Sequence, residues 1–205
     1  MLNDLDAVDW KSLTHAYGEA TDVPELLRVL LSPDAKAREA AHYELSSSIW
    51  HQGTVYSATA AAVPFLYELL NAPDVPDKSS IACLLANIAD GSGYLEANAV
   101  GDFLEPAWRT ILKEQNKSLE NELSREATET ALVRRAASKD LMFLLPFLND
   151  DEPEIRRCVA LAFANYPEHA SWSLPAIDAA LTSEKDEDVR FALLASKERL
   201  GTHAE

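Results

Sequence analysis

The sequence predicts an all-α protein: an α-solenoid of about five stacked helical hairpins with an N-terminal capping segment, forming one domain over residues 1–205. Three observations predict it. One plan recurs along the chain, most plainly in VPELLRVLLSPDAKAREAAHYEL from Val23, LMFLLPFLNDDEPEIRRCVALAF from Leu141 and LPAIDAALTSEKDEDVRFALLASKERL from Leu174. In each copy an apolar helix ends in a short acidic turn. A second helix then opens with a small or β-branched residue followed by Arg, as in Ala37-Arg38, Ile155-Arg156 and Val189-Arg190. Units of this kind bury their apolar faces only against neighbours, so they stack. A hydrophobic content of 47% over 205 residues is enough for a continuous core.

The elements follow in order. Up to about Gly18, Trp10, Leu13 and Tyr17 are spaced to share one helical side, which predicts a cap over the first repeat. Repeat one runs from about Asp22 to Ile49. Thr21 or Asp22 caps its first helix, and Pro24 sits in the first turn, where its missing N–H costs nothing. Leu26, Leu27, Leu30 and Leu31 face inward, Pro33-Asp34 turns the chain, and Ala37, Ala40, Ala41 and Leu45 recur on the second helix. Repeat two starts near Ala60, where AVPFLYELL matches DVPELLRVLL; its second helix carries Ile81, Leu84, Leu85 and Ile88. Two glycines in DGSGY then stop the helix and open a loop reaching Val100.

The third unit is the least regular. DFLEPAWRTILKEQ, from Asp102, reads as a first helix, and SLENELSREATETALVRRAAS as a long second one with Leu119, Leu123, Ala127 and Ala131 as its stripe. Glu122, Glu126 and Glu129 fall beside that stripe, either as a solvated face or as an acidic wall on the concave side of the array. Repeat four, Ser138 to Tyr166, has Pro146 inside its first helix, which removes a backbone hydrogen bond and bends it. Repeat five ends near Leu200. No strand is predicted.

Charge narrows the function. With 34 acidic and 18 basic residues the net charge is −16, which repels phosphate backbones and anionic lipid, so neither nucleic acid nor membrane is an expected partner. MLNDLDAVDWKSL does not read as a secretory signal, and no apolar run is long enough to span a bilayer. Cys83 and Cys158 fall in second helices of different repeats and read as small buried residues, which fits a reducing cytoplasm. His15, His42, His51, His169 and His203 show no metal-binding spacing, and phosphate-cradling and nucleophile-elbow motifs are absent, so no metal, no cofactor and no catalytic residue is expected.

Two local features carry more information. Two of the Arg residues that open second helices have an Asp four residues before them, Asp34 before Arg38 and Asp186 before Arg190. Their guanidinium groups can bond turn carboxylates and carbonyls of their own or the adjacent repeat, a structural role. Repeat two has Asp74 and Lys78 at the same offset. The other feature is Trp50-His51-Gln52-Gly53-Thr54-Val55-Tyr56, which joins repeats one and two with more aromatic and polar side chains than a connector needs. Either Trp50 and Tyr56 plug the junction while His51 bonds a carbonyl, or the segment is a contact loop beside the glycine loop that holds Asp90, Ser92, Tyr94 and Glu96.

The Pro near the start of the first helix, the Asp-rich turn and the Val/Ile-Arg opening of the second resemble HEAT repeats, over roughly Asp22 to Leu200, with weak agreement from Asp102 to Ala137. LTHAYGEATDVPELL and SSIWHQGTVYSATAAAVPFL further resemble small bacterial HEAT-repeat-containing proteins, a likeness that implies a fold and no activity. The residues themselves point to a non-catalytic protein-binding scaffold, most concretely an acidic immunity-type inhibitor that masks a basic toxin such as a nuclease. The alternative is a general assembly adaptor or regulatory subunit. An enzyme on this scaffold, a helical-repeat DNA glycosylase or a bilin lyase, is disfavoured, the first by the charge. Expected partner-binding residues are Glu39, Glu44, Glu122, Glu126 and Glu129 as acids and Trp50, His51, Tyr56 and Tyr94 as anchors.

Overall fold

A computed structural model describes residues 1–99 and 104–202. Val100 and Asp102, the expected ends of the glycine loop and of the next helix, and His203 lie outside the described residues. The described chain is mainly helical: α1 Val23–Val29, α2 Ala35–Ile49, α3 Ser57–Asn71, α4 Lys78–Ala89, α5 Tyr94–Asn98, α6 Glu105–Glu114, α7 Leu119–Lys139, α8 Pro153–Ala164, α9 Ala170–Ser183 and α10 Glu187–Gly201. A 3-10 segment, Leu141–Asn149, precedes α8 and contains Pro146, so the bend expected there extends to the whole first helix of that unit.

The N-terminal segment departs from the expected helix. Short 3-10 turns at Leu5–Ala7 and Trp10–Ser12 lead into a hairpin of β1, Thr14–His15, and β2, Gly18–Glu19. Trp10 is buried and its Nε1 donates to the Leu5 carbonyl at 2.8 Å. Tyr17, at the hairpin tip, is 68% exposed. Trp10 and Tyr17 therefore do not share a buried side; Gly18, with φ +127°, turns the chain before a helix can form. A second hairpin, β3 Trp50–His51 and β4 Thr54–Val55, stands where no strand was expected.

Consecutive helices pair in much of the described chain. α1 lies on α2, α3 on α4 and α9 on α10, while α8 bridges α4 and α10. One apolar core runs from Leu2 to Leu200, with Leu27, Leu45, Leu66, Ile81, Leu85 and Phe163 among its fully buried members. Two buried tyrosines stitch it: Tyr67 donates to the Ala137 carbonyl at 2.9 Å and Tyr166 to that of Ala89 at 3.3 Å.

The third unit is not an in-line hairpin. α7 packs chiefly on α3, and also on α4 and α5, while α8 takes the place beside α4. α5 and α6 form a small separate apolar cluster with the start of α7, around Leu95, Ala99, Leu112 and Leu119. The stripe of α7 is also shifted from the expected one. Leu119 is buried, but Ala127 and Ala131 are exposed, and the inward positions are Glu126, Val133 and Ala137. Leu119, Glu126 and Val133 step by seven residues, so a carboxylate occupies a core-facing position.

Candidate interaction surface

Two regions carry most of the polar chemistry. The first is the edge formed by the turns between paired helices. Arg38 donates to its own turn's carbonyls, Ser32 at 2.9 Å and Pro33 at 3.3 Å, and to the carboxylate of Asp77 in the next turn at 2.6 Å. Asp34 meanwhile caps α2 by accepting from the Lys36 N–H at 3.0 Å. Arg156 repeats the plan: carbonyls of Asp150 and Asp151 on its own turn, and both oxygens of Glu184 on the next, at 2.7 and 2.9 Å. Between them Ser79 donates to Asp150. Arg190 bonds the carbonyls of Leu181 and Glu184, each at 3.1 Å. Successive turns are thus linked into a row, and the guanidinium fork is what lets one side chain serve two turns. Arg156 beside Glu184 holds that carboxyl down at about 2.

The second region centres on β3–β4. Gly53, at φ +88°, allows the tight turn. Backbone bonds from Val55 N–H to the Ser92 carbonyl, 3.0 Å, and from Ser92 N–H to the Gly53 carbonyl, 2.9 Å, tie the hairpin to the glycine loop. At Gly91 an added Cβ would meet the Val55 side chain at 2.3 Å, so this close approach requires glycine. The two loops expected to lie side by side do so. At the entry to α3, Thr59 accepts from the Tyr56 N–H at 2.8 Å and donates to the Ile49 carbonyl at 2.5 Å, fixing where Tyr56 leaves the hairpin.

The aromatic residues converge from four parts of the sequence. Tyr17 meets the His51 ring edge-on at 5.6 Å, and Tyr94 meets Trp108 edge-on at 5.7 Å. Tyr56 follows β4 at the entry to α3, and its pKa is raised, mainly by burial and further by the phenols of Tyr17 and Tyr94 and the Glu126 carboxylate. His51 Nδ1 lies 3.2 Å from the Ser47 carbonyl, so that nitrogen carries the proton. His15, below Tyr17, is fixed likewise. Its Nδ1 accepts from the Tyr17 N–H at 3.0 Å, so Nε2 donates to Asp22 at 2.9 Å. Along α2, Tyr43 is exposed one turn before Ser47, and Glu39 and Glu44 flank it, both exposed. Glu39 also borders a cleft of about 310 Å³ with Leu30, Arg38, His42, Asp77 and Ile81. Its strongest polar groups are already engaged, His42 Nε2 with the Ser80 carbonyl at 2.9 Å and Arg38 with Asp77.

The expected site residues therefore divide. His51, Tyr56 and Tyr94 lie on the joined loops and Glu44 is exposed about two turns back along α2, whereas Glu39 lies at the other end of α2, on the cleft beside Arg38 and Asp77. Trp50 packs on the core, and its Nε1 is buried without a hydrogen-bond partner among the described residues, which makes it a plug at the repeat junction. Glu126 is corrected outright: it is buried, accepts the Leu95 N–H at 2.7 Å at the start of α5, and has its pKa raised mainly by burial. Glu122 and Glu129 both bond Arg125, at 3.1 and 2.7 Å, on a helix that packs on α3 rather than on α2. The concave wall expected to combine them with Glu39 and Glu44 is not assembled. Sequence reasoning missed Tyr17, Tyr43 and Trp108. The adjacent Gly18 signalled a turn at Tyr17, and Tyr43 is out of phase with the Ala41 and Leu45 stripe.

Among the described residues no group of three His, Cys, Asp or Glu could hold a metal, and no helix is long and apolar enough to cross a membrane. No family model matches the chain, and no curated protein matches it. A solved crystal structure of an engineered protein is 22% identical, covering 90% of this chain and 81% of that one, at a TM-score of 0.39. At that level it carries no argument about this chain.

Proposed function

We propose that this chain is a non-catalytic protein-binding scaffold of stacked HEAT-like helical pairs, and that it masks a basic protein partner as an immunity-type inhibitor of a toxin such as a nuclease. The observation that carries the reading is the set of aromatic side chains on the joined β3–β4 hairpin and glycine loop, with Tyr17 against His51 and Tyr94 against Trp108, and with exposed Tyr43 and Glu44 about two turns back along α2. Tyrosine and tryptophan give large contact area with little rotamer loss, and such residues dominate interface energetics. The rest of the chain contributes a long-range negative field, −16 overall, which speeds encounter with a cationic groove and disfavours acidic competitors. Ordering by the β3–β4 hairpin and the glycine loop means the anchors lose little freedom on docking.

Titration calorimetry against a panel of basic nuclease toxins, repeated over a salt series, tests the reading. Saturable binding that weakens with salt and abolishes nuclease activity is expected for at least one member. Binding that is salt-insensitive, or that leaves the nuclease active, contradicts it. So does the absence of binding across the panel.

A further inference from the structure

Cys83 on α4 and Cys158 on α8 are separated by 75 residues in sequence, yet their sulfurs are 3.5 Å apart. Both are free thiols. They sit where α4 packs on α8, so the contact crosses the seam between the second and later helical pairs. We propose that this pair is a peroxide-reactive dithiol that closes reversibly into a disulfide, with Cys83 as the attacking thiol and Cys158 as the resolving one. The proposal is independent of the partner reading above and holds whether or not a toxin is bound.

The two sulfurs have different surroundings, and the difference assigns the roles. Cys83 is half-buried and reachable, whereas Cys158 is buried. The contact with the Cys158 sulfur holds the Cys83 pKa below the ordinary thiol value against the opposing effects of burial and of Glu154, with Arg157 and the Asn87 amide at 3.7 Å adding to the lowering. The same contact with Cys83, together with burial, raises the Cys158 thiol, and Glu154 Oε1, which accepts from it at 3.5 Å, adds to the effect, so that thiol stays protonated. Arg157 is paired with Glu154 at 2.6 Å, so the carboxylate stays in place. The thiolate is the nucleophile in this chemistry, and a half-buried thiol in contact with a second, buried thiol is placed to react first and then be resolved.

The steps balance with a hydroperoxide as the oxidant. The Cys83 thiolate attacks the terminal peroxide oxygen, the O–O bond breaks, and the chain carries a sulfenic acid while water or an alcohol leaves after protonation. Cys158 sulfur then attacks the Cys83 sulfur. The S–O bond breaks, the Cys158 proton goes to the departing hydroxide, and water is released. Two electrons have passed from the thiols to the peroxide. A dithiol reductant reverses the change. The sulfurs are already in contact across the α4–α8 seam, and a disulfide brings them to about 2 Å.

The test uses the full chain. Native protein is exposed to dilute hydrogen peroxide, then denatured for thiol counting and intact mass. Both thiols are expected to disappear, with a mass loss of two hydrogens, one Cys83–Cys158 crosslinked peptide on mapping, and full recovery on reduction. In Cys158→Ser, Cys83 should stop at a sulfenic acid that a 1,3-dione traps. In Cys83→Ser, Cys158 should react at least tenfold more slowly than Cys83 does in the native chain. The proposal is overturned if both thiols survive, if the crosslink forms only between chains, or if Cys158 in Cys83→Ser oxidises as fast as Cys83 does natively.

Discussion

The turn edge and the aromatic surface use similar residues to opposite ends. On the edge, Arg38 and Arg156 each link two turns, and the carboxylates they meet, Asp77 and Glu184, hold neighbouring helical pairs in register. On the aromatic surface, Tyr17, Tyr43 and Tyr94 are left exposed, and Glu44 beside Tyr43 has no salt-bridge partner among the described residues. Charge that is matched within the chain builds the scaffold; charge and aromatic area left unmatched are available to a partner. Net charge alone does not separate the two, since Glu184 and Glu44 count equally in it.

Breaking the edge should give the largest effect. Arg156→Met leaves Glu184 without its partner and the Asp150 and Asp151 carbonyls without their donor. The Glu184 side chain is only 6% exposed, and a loss of about 3 kcal/mol in urea-unfolding stability is expected. The pH dependence carries a definite sign. The Glu184 pKa falls from its ordinary 4.5 to about 2 on folding, so the contribution is present above the ordinary value and disappears as pH falls towards 2. Wild type and Arg156→Met should therefore converge in stability over that acid window.

Breaking the other region should leave stability alone. Tyr94→Ala and Tyr17→Ala, at side chains 43% and 68% exposed, are expected to change the unfolding free energy by no more than about 0.5 kcal/mol. Under the proposed function, each should weaken binding, by about 2 kcal/mol, to a nuclease toxin that the calorimetric panel identifies. A stability loss as large as that of Arg156→Met would erase the distinction between the regions.

Much of the scaffold was legible in the sequence because its repeats are written in local signals. Pro24 in a first turn and the Ile81, Leu84, Leu85 and Ile88 stripe sit where the local pattern put them, while Asp34 and Asp186, read as turn carboxylates for the helix-opening Arg, act as caps of the second helices. The site was legible only in part. The placement of His51, Tyr56 and Tyr94 near one another followed from two adjoining loops, but Tyr17 arrived through a hairpin that helical spacing concealed. Glu126 was misplaced because a stripe stepping by four through Leu119 and Ala127 looks better in sequence than one stepping by seven through a carboxylate. What decides the phase of α7 is its packing on α3, a tertiary contact that no window of the sequence contains.

Glu126 sharpens the comparison at a smaller scale, since it is an acid of neither kind, buried and bonded only to backbone N–H groups. Its pKa is raised on folding, so its net contribution is favourable at acid pH and lost as pH rises through the folded value. Glu126→Gln, whose amide oxygen can still accept from Leu95, should match wild type at acid pH and be the more stable of the two at neutral pH in paired urea titrations. The smallest effect belongs to Glu120, which bonds Arg109 in full exposure. Glu120→Gln should leave the urea midpoint unchanged.

Hydrogen–deuterium exchange of the chain with and without an inhibited basic nuclease locates the contact surface directly. Protection is predicted over residues 43–56, at the Tyr17 hairpin and over α5 from Tyr94, with the turn edge unchanged. Protection confined to the turns at 32–34, 74–77, 150–152 and 184–188 would contradict the account.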